Sequence, residues 1–251
     1  MYVRRRASLA RSDRGVPSAT IRGHMRNWVL RWETGAAVCV AVLLVLTAMV
    51  MFKQTDAVEM PWVLWALAQR SDGITALIQV LTFLTSATPA LVFSLAASVF
   101  EWRTRGERNR SKMWVYAWPV AAYVGSLAFN IILRIGVGRL RPDVDYISHV
   151  LPEIQAGFQR FSFPSGHAGA ATVACLSWVV VLWPYRRVRW ISLAVALFLW
   201  LGTGFGRFYL GVHWPTDVLG GYLLAGAWLC AMLAGRKRLL AGRKRLLANS
   251  G

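Results

Sequence analysis

Three short segments of the chain combine residue types that can hold an anion and attack it. They are RIGVGRLRP at 134–142, FPSGH at 163–167 and GRFYLGVHWPTD at 206–217. Each adjoins an apolar stretch, where a charged side chain is costly unless it is paired or occupied by a ligand. The segments therefore predict one polar site at the edge of a largely apolar fold.

Arginines dominate the first and third segments. Arg134, Arg141 and Arg207 have no equivalent carboxylates beside them, so an anion from outside the chain is expected to balance them. The planar guanidinium can donate two parallel hydrogen bonds to phosphate oxygens. These three arginines are predicted to bind a phosphoryl group, with Arg139 as a secondary contact only.

The second segment has the pattern of a helix start. Pro164 is tolerated just ahead of a helix, Ser165 is a favoured N-cap residue, and Gly166 lets a ligand approach the backbone. Helix N-termini bind phosphate through their free N–H groups. Ser165 and the Gly166 amide are predicted to hold phosphoryl oxygens, with His167 in reach of a leaving-group oxygen. Alternatively, Ser165 only caps an apolar helix and His167 is interfacial.

The third segment pairs a histidine with an acid. His213 and Asp217 are four residues apart, which places them on one face at the start of a helix, and Pro215 fits such a start. A carboxylate on one imidazole nitrogen fixes the tautomer and leaves the other nitrogen as a nucleophile. A purely structural pair is the alternative. His24 and His149 have no identifiable partner in the sequence.

The composition predicts a membrane protein. Of the 251 residues, 56% are hydrophobic, and the mean hydropathy is +0.44. Crossing a bilayer takes about 20 apolar residues. Six stretches meet this need, approximately at 35–52, 74–99, 113–133, 166–183, 189–206 and 217–234. The predicted fold is an all-α, six-transmembrane helical bundle over 33–234, between basic tails at 1–32, expected to be disordered, and 235–251.

The distribution of basic residues predicts the orientation. Of the 29 lysines and arginines, 22 lie in the two tails and in the 101–112 and 184–189 loops. Six spans put these four segments on one side, which the positive-inside rule makes cytoplasmic. The three motif segments then face outward, so the active site is expected at the extracytoplasmic face of a bacterial plasma (inner) membrane. The basic tails are expected to contact anionic lipid rather than nucleic acid.

No cofactor is predicted. Cys39, Cys175 and Cys230 all fall inside apolar stretches, and the absence of a CxxC or Cys/His pair argues against zinc. Magnesium prefers clustered carboxylates, whereas the acids of the long loop are scattered, at Asp143, Asp145 and Glu153.

Taken together, the three motifs resemble a known family. Arg-x6-Arg-Pro, then Pro-Ser-Gly-His, then Arg-x5-His-x3-Asp resembles the type 2 phosphatidic acid phosphatase superfamily over about residues 35–234. That superfamily includes lipid phosphate phosphatases, undecaprenyl pyrophosphate phosphatases and vanadium haloperoxidases. Two positions depart from its usual pattern. Arg134 replaces a lysine, which keeps the charge, and Gly206 replaces a serine, which removes one possible hydroxyl contact.

The resemblance implies a metal-independent phosphatase. His213 would attack phosphorus to form a phosphohistidine, Asp217 would orient it, and His167 would protonate the departing oxygen. The phosphate group would lie among Arg134, Arg141, Arg207, Ser165 and Gly166. The substrate would be a lipid phosphate or polyprenyl pyrophosphate that enters from the outer leaflet, and inorganic phosphate would be released. The sequence leaves the lipid and the oligomeric state open.

Three other functions share part of this pattern. A lipid-linked phosphotransferase would use the same histidine with an acceptor other than water. A non-enzymatic lipid-binding or transport protein would not need His213, His167 and Asp217 together. A vanadium haloperoxidase is disfavoured because those members are usually soluble.

The predicted topology can be tested by cysteine labelling. With Tyr146→Cys, a membrane-impermeant maleimide is expected to label intact cells, because the 134–165 loop faces outward. With Ser111→Cys, in the 101–112 loop, labelling is expected only after permeabilisation. The reverse pattern would contradict the orientation.

Overall fold

The computed structural model describes residues 18–105, 115–142 and 160–249, and within them it has eight α-helices and one isolated β-bridge. The helices are α1 (Ser18–Met51), α2 (Asp56–Ala68), α3 (Asp72–Leu84), α4 (Ala87–Arg105), α5 (Trp118–Val137), α6 (Gly166–Leu182), α7 (Arg189–Tyr209) and α8 (Pro215–Asn249). The predicted all-α class is confirmed for this part of the chain.

Most of the predicted spans correspond to long apolar helices. Four are long and apolar enough to cross a membrane, namely Arg31–Met51 of α1, α5, α7 and Pro215–Leu240 of α8. A fifth candidate span is formed by α3 and α4 together, with a bend of 51° between the two helices. The sequence predicts a kink at Pro89, but the bend lies at residues 85–86, and Pro89 falls in the first turn of α4, where its missing N–H costs nothing. The remaining stretch, 166–183, forms α6, which is apolar but has only 17 residues, so the count of six stays a prediction.

Large apolar side chains cover the outside of the bundle. Leu44 and Val45 of α1 are 65% and 62% exposed, and Ile132 of α5 and Ile191 of α7 are each 64% exposed. Soluble monomers rarely expose contiguous apolar surface of this kind. Together with the candidate spans, this surface supports an integral membrane protein.

Helix α6 lies inside the bundle and positions the second motif. It packs against α4, α5, α7 and α8, and its buried face is rich in small residues such as Ala168 and Gly169. Small residues let membrane helices approach closely. A Cβ atom at Gly221 of α8 would lie 2.4 Å from the carbonyl oxygen of Ser165. Glycine at this crossing therefore brings the starts of α6 and α8 together.

The chain outside the predicted spans is helical in several places. The sequence around Trp62 and Trp65 predicts a short interfacial helix. The structure has a helix there, α2, and both indoles are more than half exposed. Helix α1 already begins at Ser18, so residues 18–32, assigned to a disordered tail by the sequence, are helical where the structure describes them. The first 17 residues and the acids and histidine of the long loop, with Tyr146, lie outside the described residues. The proposed domain boundaries stay predictions.

Candidate active site

The first motif is shaped by the end of α5. Gly138 adopts a left-handed φ of 64°, and its N–H donates to the Arg134 carbonyl at 3.1 Å. This hydrogen bond ends α5 one turn after Arg134. Such C-terminal positions favour glycine because it has no Cβ. The chain then returns past the second motif, where the Ser162 N–H donates to the Arg139 carbonyl at 2.7 Å.

The start of α6 faces the end of α5. Nη2 of Arg134 and Nδ2 of Asn130 each donate to the Pro164 carbonyl at 3.2 Å. A Cβ atom on Gly166 would lie only 3.1 Å from Nη2 of Arg134. The first residue of α6 is therefore in van der Waals reach of an arginine from the first motif, as the phosphate-binding hypothesis requires.

Ser165 occupies the N-cap position of α6, as predicted, but its side chain does not cap the helix. The hydroxyl is fully buried and has no hydrogen-bond partner among the described residues. Buried hydroxyls are normally satisfied, so each exception calls for a cause. An anion held at the N-terminus of α6 would provide the missing partner.

The third motif differs from its prediction in one respect. Helix α8 begins at Pro215, so His213 precedes the helix instead of sharing a helical face with Asp217. The side chains of His213 and Asp217 are still in contact, because Asp217, the third residue of α8, directs its carboxylate towards the residues that precede the helix. Its Oδ2 accepts from the Trp214 N–H at 2.9 Å and lies 3.3 Å from Nδ1 of His213. This is the reaching-back half of a capping box.

The contacts of His213 define its tautomer. Nε2 lies 3.3 Å from Nη1 of Arg141, and a guanidinium can only donate, so Nε2 carries the lone pair. The proton is then on Nδ1, which faces Asp217. Burial lowers the pKa of His213 well below its usual range, and the nearby Arg141, Arg207, Arg134 and His167 lower it further. The imidazole is therefore neutral at neutral pH, with Nε2 available as a nucleophile.

Arg141 and Arg207 complete the positive charge of the site. Arg141 donates to the Val212 carbonyl, and burial, followed by the charge of Arg134, lowers its pKa to about 10 despite the opposing charge of Asp217. It remains protonated at neutral pH. The Arg207 side chain is 7% exposed, and its buried Nε has no hydrogen-bond partner in the described part of the chain.

These residues meet around a cavity of about 530 Å³. Six of the eight predicted site residues line it, namely Arg134, Arg141, Gly166, His167, Arg207 and His213. Asp217 is fully buried behind His213, and Ser165 is buried at the N-terminus of α6. No lining residue within the described ranges is acidic. The cavity wall thus carries three arginines with no facing carboxylate, which favours an anionic ligand.

Arg139 takes a different position from the one predicted. It does not line the cavity, and both of its terminal nitrogens face acidic side chains, among them Asp217 at 2.9 Å and Glu59 at 2.7 Å. Burial acts against its charge, but the carboxylates of Asp217, Glu59 and Asp56 outweigh burial and raise the pKa of the guanidinium. The prediction of a secondary phosphate contact is therefore wrong.

The departure at Gly206 also has a different meaning from the one the sequence indicated. A Cβ atom on Gly206 would lie 2.7 Å from Cγ2 of Ile78 and 3.2 Å from Cγ2 of Thr82, both on α3. A serine here would direct its side chain at α3 and away from the cavity. The glycine allows α7 to pack against α3, so no phosphate contact is lost.

Sequence reasoning missed several residues. Three polar residues that precede Arg134 on the same face of α5 also line the cavity, namely Asn130, Ser126 and Tyr123. Buried polar residues within an apolar span are a recognisable signal, and their spacing from Arg134 could have revealed them. The sequence gives no comparable indication of Glu59, because this residue is 80 positions away from Arg139, whose side chain it contacts.

Metal ligands are sparse around the site. Within residues 18–105, 115–142 and 160–249, no group of three or more histidine, cysteine, aspartate or glutamate side chains is placed to hold a metal ion.

Comparison with known proteins points to one family. A profile of the PAP2 superfamily matches residues 115–240, half of the chain. Lipid A 1-phosphatase of Rhizobium johnstonii is 32% identical over 123 residues, which cover 48% of this chain and 47% of the relative. Phosphatidylglycerophosphatase B of Bacillus subtilis is 34% identical over 101 residues, or 38% and 45% of the two chains. The chain thus spans about half the length of the curated relatives it matches.

A solved structure shares the fold. The crystal structure of a transmembrane PAP2-type phosphatidylglycerolphosphate phosphatase from Bacillus subtilis superposes with a TM-score of 0.65 at 21% identity. The match covers 79% of this chain and 94% of the other.

The contact at Gly166 can be tested by binding alone. In Gly166→Ala, the added methyl would lie 3.1 Å from Nη2 of Arg134 and 3.5 Å from Oδ1 of Asn130. Because such overpacking costs about 1–3 kcal/mol, the dissociation constant for orthovanadate is expected to rise about tenfold or more. Isothermal titration of the purified protein in detergent measures it.

The matched control is Gly136→Ala on α5, where a Cβ atom would meet nothing within 4 Å. This variant is expected to bind orthovanadate like the unmodified protein. Equal affinities for all three proteins would mean that the start of α6 takes no part in anion binding.

Proposed function

The chain belongs to the PAP2 superfamily, and we propose that it is a membrane phosphatase that hydrolyses a lipid phosphate or polyprenyl pyrophosphate through a phosphohistidine on His213. The observation that carries the proposal is the cavity in which three arginines lie with the imidazoles of His213 and His167 and, among the residues that the structure describes, with no acid. The names of the relatives, lipid A 1-phosphatase and phosphatidylglycerophosphatase B, support a phosphorylated lipid as the substrate class.

Binding uses the positive charge of the three cavity arginines. A phosphate group in the cavity would accept hydrogen bonds from Arg134, Arg141 and Arg207 and replace the contacts these side chains now make. The Gly166 amide and the free hydroxyl of Ser165 would hold further oxygens at the N-terminus of α6. These donors are in place before the reaction, so they stabilise the charge on the equatorial oxygens as the transition state forms.

The first chemical step transfers the phosphoryl group to the enzyme. Nε2 of His213 attacks phosphorus in line with the bond to the lipid oxygen. A P–N bond forms, the P–O bond breaks, and its electron pair goes to the departing oxygen, which takes a proton from His167. Asp217 accepts the Nδ1–H of His213, which stabilises the imidazole as it gains positive charge.

The second step releases phosphate. His167, now deprotonated, accepts a proton from water as the water oxygen attacks phosphorus. The P–N bond breaks, its electron pair returns to Nε2, and inorganic phosphate leaves. His167 is thereby protonated again for the next substrate. The arginines supply the positive charge in both steps, so we propose that the reaction needs no metal ion.

The cavity also has room for part of the lipid. From the arginines the cavity extends along α5, where it is lined by the apolar Leu127 and Ile131 and the polar Ser126 and Asn130. Ala170 of α6 also lines it. Asn130 lies about one turn of α5 from Arg134, where the ester or pyrophosphate oxygens of a leaving group would sit. The apolar wall suits the beginning of an acyl or prenyl chain. We propose that this lipid enters from the outer leaflet of a bacterial plasma membrane, as the charge asymmetry predicts.

The direct test is phosphate release by the purified protein in detergent with EDTA throughout. The substrates are phosphatidylglycerol phosphate, phosphatidic acid, undecaprenyl pyrophosphate and a soluble phosphomonoester. The unmodified protein is expected to release phosphate from at least one lipid with a higher kcat/KM than from the soluble ester. His213→Ala is expected to lose about a thousandfold or more in kcat, because the nucleophile is gone.

The matched control is His149→Ala, a histidine of the long loop without an assigned role, which is expected to leave activity unchanged. Absence of phosphate release from every lipid would contradict the hydrolase. A phosphorylated acceptor in place of free phosphate would favour the phosphotransferase. Activity that disappears in EDTA and returns with magnesium would contradict the metal-free mechanism.

A further inference from the structure

Arg139 connects the outer helix α2 to the acid behind the nucleophile. Nη1 donates to Oδ1 of Asp217 at 2.9 Å, and Nη2 donates to Oε2 of Glu59 at 2.7 Å. The side chain is buried, as are both of these carboxylates. Further contacts are made with Thr216, Thr55, Asp56 and the face of the Trp214 ring. The guanidinium is thus held from several directions at once.

Glu59 also holds the start of α8 directly. Its Oε1 accepts from the Thr216 N–H at 2.6 Å, and its Oε2 accepts from the Thr216 hydroxyl at 2.8 Å. The first N–H groups of a helix have no partner within the helix, so an acid from α2 satisfies one of them. Glu59 and Arg139 therefore fix both the backbone and the side chain of the turn that carries Asp217.

Charge explains why Asp217 needs this partner. Its carboxylate is fully buried, and an ionised group without a counter-charge in such a place costs several kcal/mol. Arg139 is the one cation whose hydrogen bond to this carboxylate is present among the described residues. The three cavity arginines instead line the cavity together with His213. Arg139 therefore pairs with Asp217, whereas Arg134, Arg141 and Arg207 are the proposed phosphate ligands.

We propose that Arg139, held in place by Glu59 of α2, is a positioning residue for phosphoryl transfer. It keeps Asp217 ionised and occupies Oδ1, so that Oδ2 is left to accept the Nδ1–H of His213. The inference rests on the proposed phosphatase function and adds to it a residue that touches neither the substrate nor the nucleophile.

The consequence of removing Arg139 follows from proton positions. Without its charge, Asp217 would be neutralised by a proton, since a buried carboxylate is otherwise uncompensated. A protonated carboxyl can donate to Nδ1 of His213, which would move the imidazole proton to Nε2. The nucleophilic lone pair would then be lost, although the cavity and its arginines would be unchanged. A defect in kcat with intact anion binding is therefore expected.

The experiment compares Arg139→Met, Arg139→Lys and Glu59→Gln in the full chain. Arg139→Met is expected to lower kcat about 100-fold and Glu59→Gln about tenfold, the range seen for groups that orient a functional histidine. Arg139→Lys is expected to fall between the unmodified protein and Arg139→Met, because an ammonium keeps the charge but cannot span both carboxylates. KM and the dissociation constant for inorganic phosphate are expected to change less than about threefold, because none of these variants removes a cavity arginine.

The control is Asp72→Asn, which removes an exposed acid at the start of α3 and is expected to leave kcat unchanged. Binding of inorganic phosphate also reports folding, because a protein that failed to assemble the cavity would bind none. If Arg139→Met does not fold, Glu59→Gln and Arg139→Lys test the same claim with smaller changes in volume. A kcat within threefold of the unmodified protein in Arg139→Met, or in Glu59→Gln if Arg139→Met does not fold, would overturn the proposal.

A double-mutant cycle separates positioning from general destabilisation. If Arg139 acts through Asp217, adding Arg139→Met to Asp217→Asn should cost less than about threefold in kcat, because residues that act as a unit are not additive. An undiminished 100-fold loss in the Asp217→Asn background would contradict the proposal. An unmodified protein that releases no phosphate would instead contradict the phosphatase function itself.

Discussion

The site depends on a single buried carboxylate, that of Asp217. Its side chain accepts from Arg139, from the Trp214 N–H and, through the imidazole, from His213. Its backbone carbonyl accepts from the Ser165 N–H at 2.8 Å. All three sequence motifs therefore converge on this residue. An ion buried so completely is stable only when its partners are held in place, and this requirement links α2, α5, α6 and α8 around one point.

The second constraint is an excess of positive charge beside the nucleophile. Arg134, Arg141 and Arg207 share a cavity wall with His213 and with no acid of the described chain. Their charge lowers the pKa of His213, after the larger effect of burial, and so favours the neutral imidazole that an attack on phosphorus needs. The arrangement that prepares the nucleophile is thus the same one that attracts a phosphate group.

The sequence predicted which residues gather but not how each one is oriented. Spacing and residue type were enough to predict that Arg134, His167 and His213 belong to one site. Each of them lies in a short local motif, and the packing of the helices brings the motifs to one cavity. Orientation depends on contacts between distant segments. Arg139 and Arg141 are only two residues apart, yet Arg139 binds Asp217 and Glu59 whereas Arg141 lines the cavity beside His213. Glu59 is 80 residues away from Arg139 in the sequence. Gly206 is a packing residue because Ile78 of α3 lies where its side chain would be.

The central claim is that His213 carries the phosphoryl group during turnover. The most direct measurement is rapid alkaline quenching of the protein during turnover of a ³²P-labelled lipid phosphate, followed by peptide mapping, since alkali preserves phosphohistidine. Label on His213 is expected to appear and decay at rates consistent with turnover. Label on another residue, or turnover with no covalent label at any time, would contradict it.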